Sequence, residues 1–227
     1  MKRCLLCLKE LPLFQGLDRP DFVDVCLNAT KKIVSKGDYL FRQSEHADSI
    51  CLIKAGKLKL VHNTEEGREN ILEIVGPGEV LGETALFQEQ DRPYSTIALE
   101  DTKLCCFNRE QFETLIRQNP TFAIKIISHL GNKLYRSLRQ AGEDAGIPVK
   151  EKLLRVLVRL AEEYGRKISE GTMIDLEITQ QELADMVGAS RVMVAQILRE
   201  FKAAGIILRN AKHYVLRTDP CMERHFP

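Results

Sequence analysis

Little in this chain points to a partner through bulk charge. Its 33 lysines and arginines nearly balance 32 aspartates and glutamates, leaving a net charge of +1. No global field therefore draws it to nucleic acid or to a membrane, and any such function must come from a local site. It also lacks an apolar run of the roughly 18 residues needed to cross a bilayer. The N-terminus has neither the apolar stretch nor the small-residue cleavage site of a signal peptide. The expectation is a cytoplasmic protein with no membrane partner. The five histidines, His46, His62, His129, His213 and His225, are scattered without a His-x-His pair. Neither a Ser-His-Asp set nor a P-loop is visible. These absences argue against an enzyme and leave a cupin-like metal enzyme as a remote alternative. In a chain of this kind the seven cysteines are expected to be core residues, metal ligands or reactive thiols rather than disulfides.

What is present falls into three textures. After a short N-terminal helix, capped by Asp18 and carrying Phe22, Cys26 and Ala29 on one face, short β-rich runs follow one another from about residue 31. They read "KIVSK", "DYLFRQ", "SICLIKA", "KLKLVHN" and "NILEIVG", and continue through "STIALED" to "TKLCCFN". Lys36-Gly37, Ala55-Gly56, Glu66-Gly67 and Gly76-Pro77-Gly78 separate them with turn chemistry. Strands of this length and spacing predict a small antiparallel sandwich or roll.

The period then switches. "REQFETLIRQ" predicts a helix ended by Asn119-Pro120, and a longer helix follows to about residue 145. Ile127, Gly131, Leu134, Leu138 and Ala141 step by four and three along it, with Ala145 continuing the series. That is a heptad seam, weakened at Gly131, and it predicts a homodimer interface. The far face is polar, with Asn132, Lys133, Arg136 and Arg139. "GEDAGIP" reads as a hinge. Beyond it come an amphipathic helix stopped by Gly165, a short strand "MIDLEI", two short helices, and a hairpin made of "GIILRN" and "HYVLR".

Residues 178–201, "ITQQELADMVGASRVMVAQILREF", carry the strongest signal. Thr179 and Glu182 form a capping-box pair that starts one short helix, with Gln180 in its first turn. Leu183, Ala184 and Val187 supply its inner face, and Gly188 permits a tight left-handed turn. Ser190 caps the next helix, whose Val194, Ile197, Leu198 and Phe201 face inward at i, i+3, i+4 and i+7. Arg191, Val192, Ala195, Gln196 and Arg199 are left on the outer face, with Met193 beside them. Two short helices about a glycine turn, the second with an exposed basic and amide face, make a helix-turn-helix, and the hairpin after it a wing. The spacing predicts that double-stranded DNA is the partner. Residues 150–217 hold 12 lysines and arginines against 9 aspartates and glutamates, a small local excess suited to phosphate contacts. Arg191 suits guanine, Val192 a thymine methyl and Gln196 adenine.

A roll, a long helix, a hinge and a winged helix-turn-helix together resemble the CRP/FNR family of bacterial transcription regulators. The resemblance runs from "LPLFQGL" through "KGDYLFRQSEHADSICLIKAGKLKL" and "GPGEVLGETALF" to "LADMVGASRVMVAQILREF". It implies an α+β chain: an N-terminal segment with an antiparallel β-roll of the cyclic-nucleotide-binding jelly-roll type (residues 1–119), a dimerisation helix and hinge (120–147), and a winged helix-turn-helix domain (148–227). It implies a palindromic DNA site and RNA polymerase as a further partner. In the cyclic-AMP-receptor branch a Gly-Glu pair, then an arginine followed by Ser or Thr, holds the nucleotide. Here Gly82 and Glu83 match, but Tyr94 stands at the arginine's place before Ser95 and Thr96, and Arg92 is displaced by two residues. A phosphate without its guanidinium fork loses its strongest contact. The resemblance is nearer the oxygen-sensing FNR branch, whose N-terminal cysteines and one distant cysteine hold an iron–sulfur cluster. On that pattern Cys4, Cys7, Cys26 and Cys105 are the metal ligands of one [4Fe–4S] cluster. Cys26 enters because no third cysteine follows closely on Cys7, and it reads equally as a buried thiol, since it shares an apolar helix face with Phe22. Cys51 and Cys106 read as core, Cys106 pointing away from Cys105. Alternative effectors are heme, with His129 or a cysteine as axial ligand, a cyclic nucleotide at Gly82, Glu83, Arg92, Ser95 and Thr96, or another small molecule.

Overall fold

The computed structural model describes residues 29–83, 91–144 and 146–217. The chain divides into two compact units, residues 1–141 and 142–227.

The first unit is built on eight strands: β1 (Thr30–Val34), β2 (Tyr39–Phe41), β3 (Ser49–Ala55), β4 (Leu58–Asn63), β5 (Glu69–Val75), β6 (Val80–Leu81), β7 (Ser95–Ala98) and β8 (Thr102–Asn108). They form two antiparallel sheets in the orders β1-β8-β3-β6 and β2-β7-β4-β5. β3 and β8 coincide with "SICLIKA" and "TKLCCFN". Strand β6 is short, and its two buried residues read in the sequence only as part of a turn-rich stretch.

The two faces of the central strands pack into different apolar clusters. One contains Phe41, Cys51, Ile53, Leu58, Leu60, Leu81, Leu104 and Cys106, with Tyr94 packed against it. The other contains Ile50, Leu52, Val80, Cys105 and Phe107 together with Phe112, Leu115, Phe122 and Ile126 from the helices. Consecutive residues on a strand point to opposite sides, so Cys105 and Cys106 fall in different clusters. The reading of the cysteines as unbridged is corrected at one pair: Cys51 and Cys106 are joined by a disulfide. Strand register is the reason, because β3 pairs with β8 so that Cys51 lies directly opposite Cys106. Register cannot be read from either strand alone.

Helix α1 (Arg109–Gln118) starts at an Asn108 capping box with Gln111 and ends at Asn119. Helix α2 (Pro120–Asp144) follows at once. Asn119 Oδ1 accepts from the Phe122 backbone N–H at 3.0 Å, which satisfies an otherwise orphaned donor of the first turn.

The second unit holds α3 (Val149–Tyr164), β9 (Gly165–Ile168), β10 (Gly171–Ile174), α4 (Gln180–Val187), α5 (Arg191–Ala203), β11 (Ile207–Asn210) and β12 (His213–Leu216). Its sheet runs β11-β12-β10-β9, all antiparallel. Strand β9 was not expected, because Gly-Arg-Lys-Ile has no alternation and is mostly exposed. "MIDLEI" is paired only as far as Ile174; Leu176 and Ile178 stay buried without a strand partner. Gly165 is needed where α3 meets β9, since a Cβ there would lie 1.9 Å from the Ala161 carbonyl oxygen.

Candidate nucleic-acid interface and effector site

Helices α4 and α5 are set by local chemistry. Thr179 Oγ1 accepts from the Glu182 N–H at 3.1 Å, and the Thr179 N–H donates to Glu182 Oε2 at 2.9 Å. Gly188 closes α4 at φ +66°, ψ +37°, the left-handed conformation that a side chain disfavours. Ser190 Oγ accepts from the Met193 N–H at 3.2 Å and starts α5. Leu183, Ala184, Val187, Val194, Ile197, Leu198 and Phe201 are all buried. The small Ala184 is fully buried, consistent with closely packed helices.

That packing decides what α5 presents outward. Arg191, Val192, Met193, Gln196 and Arg199 are exposed, and Ala195 is half-buried. Val192 is 76% exposed, an apolar side chain offered to solvent at the start of a helix. Thr179 and Ser190 are exposed at the two helix starts and Gln180 is half-buried. Two guanidinium groups, an amide and an apolar side chain on one exposed face can contact phosphates, a base edge and a thymine methyl.

In the first unit, Gly82 and Arg92 come together. Gly82 has φ +79°, and a Cβ there would lie 2.5 Å from Arg92 Nη1 and from the Ser49 carbonyl oxygen. Arg92 is 4% exposed. Its Nη2 donates to the Ser49 carbonyl at 2.9 Å, and its guanidinium lies 3.5 Å over the Phe41 ring. The displaced arginine is thus part of the roll's packing. Ser95 Oγ accepts from the Gln43 N–H at 2.9 Å. Thr96 is fully buried, and its Oγ1 has no hydrogen-bond partner. Tyr94 stands where the nucleotide-binding pattern has arginine. Burial, then the nearby Glu83 charge, pushes its phenol up to about 12, so it is a neutral donor.

Glu83 is engaged from α2. Lys133 Nζ lies 3.1 Å from Glu83 Oε1, with both side chains mostly buried. Burial pulls the ammonium down, but the charge and hydrogen bond of Glu83 outweigh it and hold Lys133 above its ordinary range. Glu79, before β6, lies 3.1 Å from His129 Nε2 and 3.3 Å from Arg136 Nη2. The polar face of α2 is therefore docked on carboxylates of the roll. Sequence reading missed this. The only signal was three basic side chains at 129, 133 and 136, and nothing marked Glu79 as their acceptor.

The other face of α2 is apolar and exposed. Ile124, Ile127, Leu134 and Leu138 are 61–68% exposed, and Gly131 lies open between them. Ile124 extends the expected seam by one step. The side chain of Ala141 lies outside the described residues. So do Cys4, Cys7 and Cys26, so of the expected metal ligands only Cys105 is placed. It is 1% exposed on β8, opposite Lys31 of β1. Among the described residues no group of three or more metal-ligating side chains gathers, and no helix is long and apolar enough to cross a membrane.

Residues 31–119 match the cyclic nucleotide-binding domain, and residues 151–220 match the Crp-like helix-turn-helix domain. The chain is 31% identical over 201 residues to the cyclic AMP receptor protein of Thermus thermophilus, covering 88% of this chain and 89% of that one. It is 29% identical to the anaerobic regulatory protein of Bacillus subtilis, covering 79% of this chain and 76% of that one. Among solved structures, the c-di-GMP-responsive global regulator CLP of Xanthomonas campestris shares the fold, with a TM-score of 0.75 at 24% identity, covering 89% of this chain and 100% of that chain. The outward face of α5, the roll and these matches lead to one conclusion: the chain belongs to the CRP/FNR family, and it is a DNA-binding transcription regulator with an effector-binding domain, not an enzyme.

Proposed function

We propose that the protein is a homodimer that binds palindromic DNA through α5, meets RNA polymerase at its promoters in the cytoplasm, and answers to an oxidation-sensitive [4Fe–4S] cluster held by Cys4, Cys7, Cys26 and Cys105. The working parts are residues 1–119 for sensing, 120–147 for pairing, and 148–227 for DNA. The observation that carries the effector reading is where the chain enters the roll. Ala29, three residues after Cys26, packs against the cluster that contains Cys105. Lys31, five residues after Cys26, lies directly opposite Cys105. The described chain thus begins beside the strand that carries Cys105, whose apolar cluster also holds Phe122 and Ile126 of α2. Four thiolates suit such a cluster. When bound, it supplies an oxidation-sensitive tie between the N-terminal segment and β8. The chain's own residues carry the rest: Cys105 anchors to the α2 cluster, α2 pairs the protomers, and α5 reads the bases.

Anaerobic purification with iron and sulfide analysis tests this. About four iron and four sulfide per chain are expected, and Cys105→Ser should lose them. Protein that stays iron-free after anaerobic reconstitution removes the cluster from the account.

A second reading has its own observation. Thr96 Oγ1 and Glu83 Oε2 are buried without hydrogen-bond partners, and such groups are normally satisfied. A small molecule inside the roll would satisfy them. Arg92 Nη1, beside Gly82, is likewise buried without a hydrogen-bond partner, so a cyclic nucleotide would meet that guanidinium as well as Tyr94, and heme would have to take His129 from Glu79. Titration of iron-free protein with cyclic AMP and with heme separates these cases.

A further inference from the structure

We infer that Glu79 and Glu83 form a releasable latch on the second half of α2. The inference rests on the reading that α2 pairs two protomers.

Helix α2 is attached to the roll in two different ways. Over its first turns the attachment is apolar. Phe122 and Ile126 are 1% and 3% exposed within the cluster formed with β3, β6, β8 and α1, and Leu130 packs against it. No described side chain of α2 beyond Leu130 joins either apolar cluster of the roll. From there the attachment is ionic, through Lys133 to Glu83 and Arg136 to Glu79, and His129 Nε2 lies 3.1 Å from a Glu79 oxygen at the junction. Residues 129, 133 and 136 are spaced to fall on one helix face. Their acceptors flank β6, whose Val80 and Leu81 are 3% and 0% exposed, so the carboxylates stand on a rigid base. The backbone fixes them further, since the Ile53 N–H donates to the Glu79 carbonyl oxygen at 3.0 Å.

The two attachments differ in what can undo them. Buried apolar contact has no competitor short of unfolding, whereas an ion pair yields to another donor. The Lys133–Glu83 pair matters most, because both side chains are under 20% exposed, while Arg136 is 49% exposed and screened. Glu83 Oε2 is itself buried without a hydrogen-bond partner. Lys133 is held by the other oxygen, Oε1, so this part of the latch hangs on one carboxylate oxygen. The released arm carries Leu134 and Leu138 of the seam, while Ile124 and Ile127 stay on the fixed stem. Breaking the Lys133–Glu83 pair would thus loosen one half of the pairing surface and leave the other.

Hydrogen exchange on the full-length protein tests this with Lys133→Met, which keeps most of the side chain's apolar stem, and with Glu83→Gln. Each variant should speed exchange of amides 131–138 by about tenfold, the factor one charge-assisted hydrogen bond accounts for, and leave amides 122–128 unchanged. Unchanged exchange in 131–138 overturns the latch. Equal acceleration in both halves also overturns it, because α2 is then held as one piece. An effect in Lys133→Met but not in Glu83→Gln removes Glu83 as the acceptor. Light scattering on the wild type separates the underlying reading: a monomer defeats the pairing seam, and the contrast between stem and arm still decides the latch.

Discussion

Cys51 on β3 and Cys106 on β8 face each other directly, with Cα atoms 4.0 Å apart, and share a disulfide inside the roll. Both are nearly fully buried, at 1% and 8% exposure. The bond joins positions 55 residues apart, so it restricts the unfolded chain more than it adds to a sheet already paired there.

The first prediction concerns this bond. Alkylation under denaturing, non-reducing conditions should leave Cys51 and Cys106 unmodified while Cys105 reacts. Replacing both by alanine should lower unfolding stability by about 2–4 kcal/mol, read as a shift in the denaturant midpoint. If peptide mapping finds both thiols alkylated without reductant, the pair is an ordinary core contact.

This pair also shows where sequence reading stops. Strands β3 and β8, the helix α1 and the whole α4–α5 motif were legible because each is specified by its own residues: β-rich runs bounded by turn residues, the Asn119-Pro120 stop, the Thr179 cap, the left-handed Gly188. The opposite facing of Cys105 and Cys106 was legible for the same reason. The Cys51–Cys106 pairing, the Glu79 and Glu83 attachments of α2, and the burial of Arg92 behind Gly82 were not. Each depends on which strands become neighbours and in what register, and no local pattern encodes that. Strand β9 failed differently, since an exposed hairpin arm needs no apolar alternation.

The second prediction concerns the apolar face of α2. Leu134 is 61% exposed on the isolated chain, in line with Ile124, Ile127 and Leu138. Leu134→Lys should convert the protein to monomers by light scattering. Affinity for a palindromic site should fall by roughly a hundredfold or more, the avidity lost when two half-sites are no longer gripped together. An unaltered dimer would place the interface elsewhere.

The third prediction is a pH dependence at Glu79. Burial raises its pKa, but hydrogen bonding and charge from His129, then the Arg136 charge, outweigh burial and hold the carboxyl below its ordinary value of 4.5. A group depressed in the folded state contributes stability above its unfolded pKa and loses it as pH falls through the folded one. Melting temperature should therefore drop on acidification below about pH 4.5, and Glu79→Gln should flatten that part of the curve. Parallel curves for the two proteins would mean that the Glu79 pairs contribute nothing to stability.

The fourth prediction separates the two kinds of contact on α5. Gln196 and Arg199 are both exposed on the outward face, three residues apart and so nearly a full turn. An amide can pair with both the N6 and N7 of adenine, and losing a bidentate contact relaxes discrimination at one base pair by about 1–3 kcal/mol. A guanidinium on a phosphate carries no sequence information, but it releases counterions, so its loss lowers the salt slope by about one. Gln196→Ala should thus flatten a single position in a binding-site selection and leave affinity for unrelated DNA unchanged. Arg199→Ala should weaken binding to every sequence alike and reduce the dependence on salt. The reverse pattern would exchange the two roles: Arg199 would then enter the groove and Gln196 would lie along the backbone, rotating α5 by part of a turn from the orientation its exposed face implies.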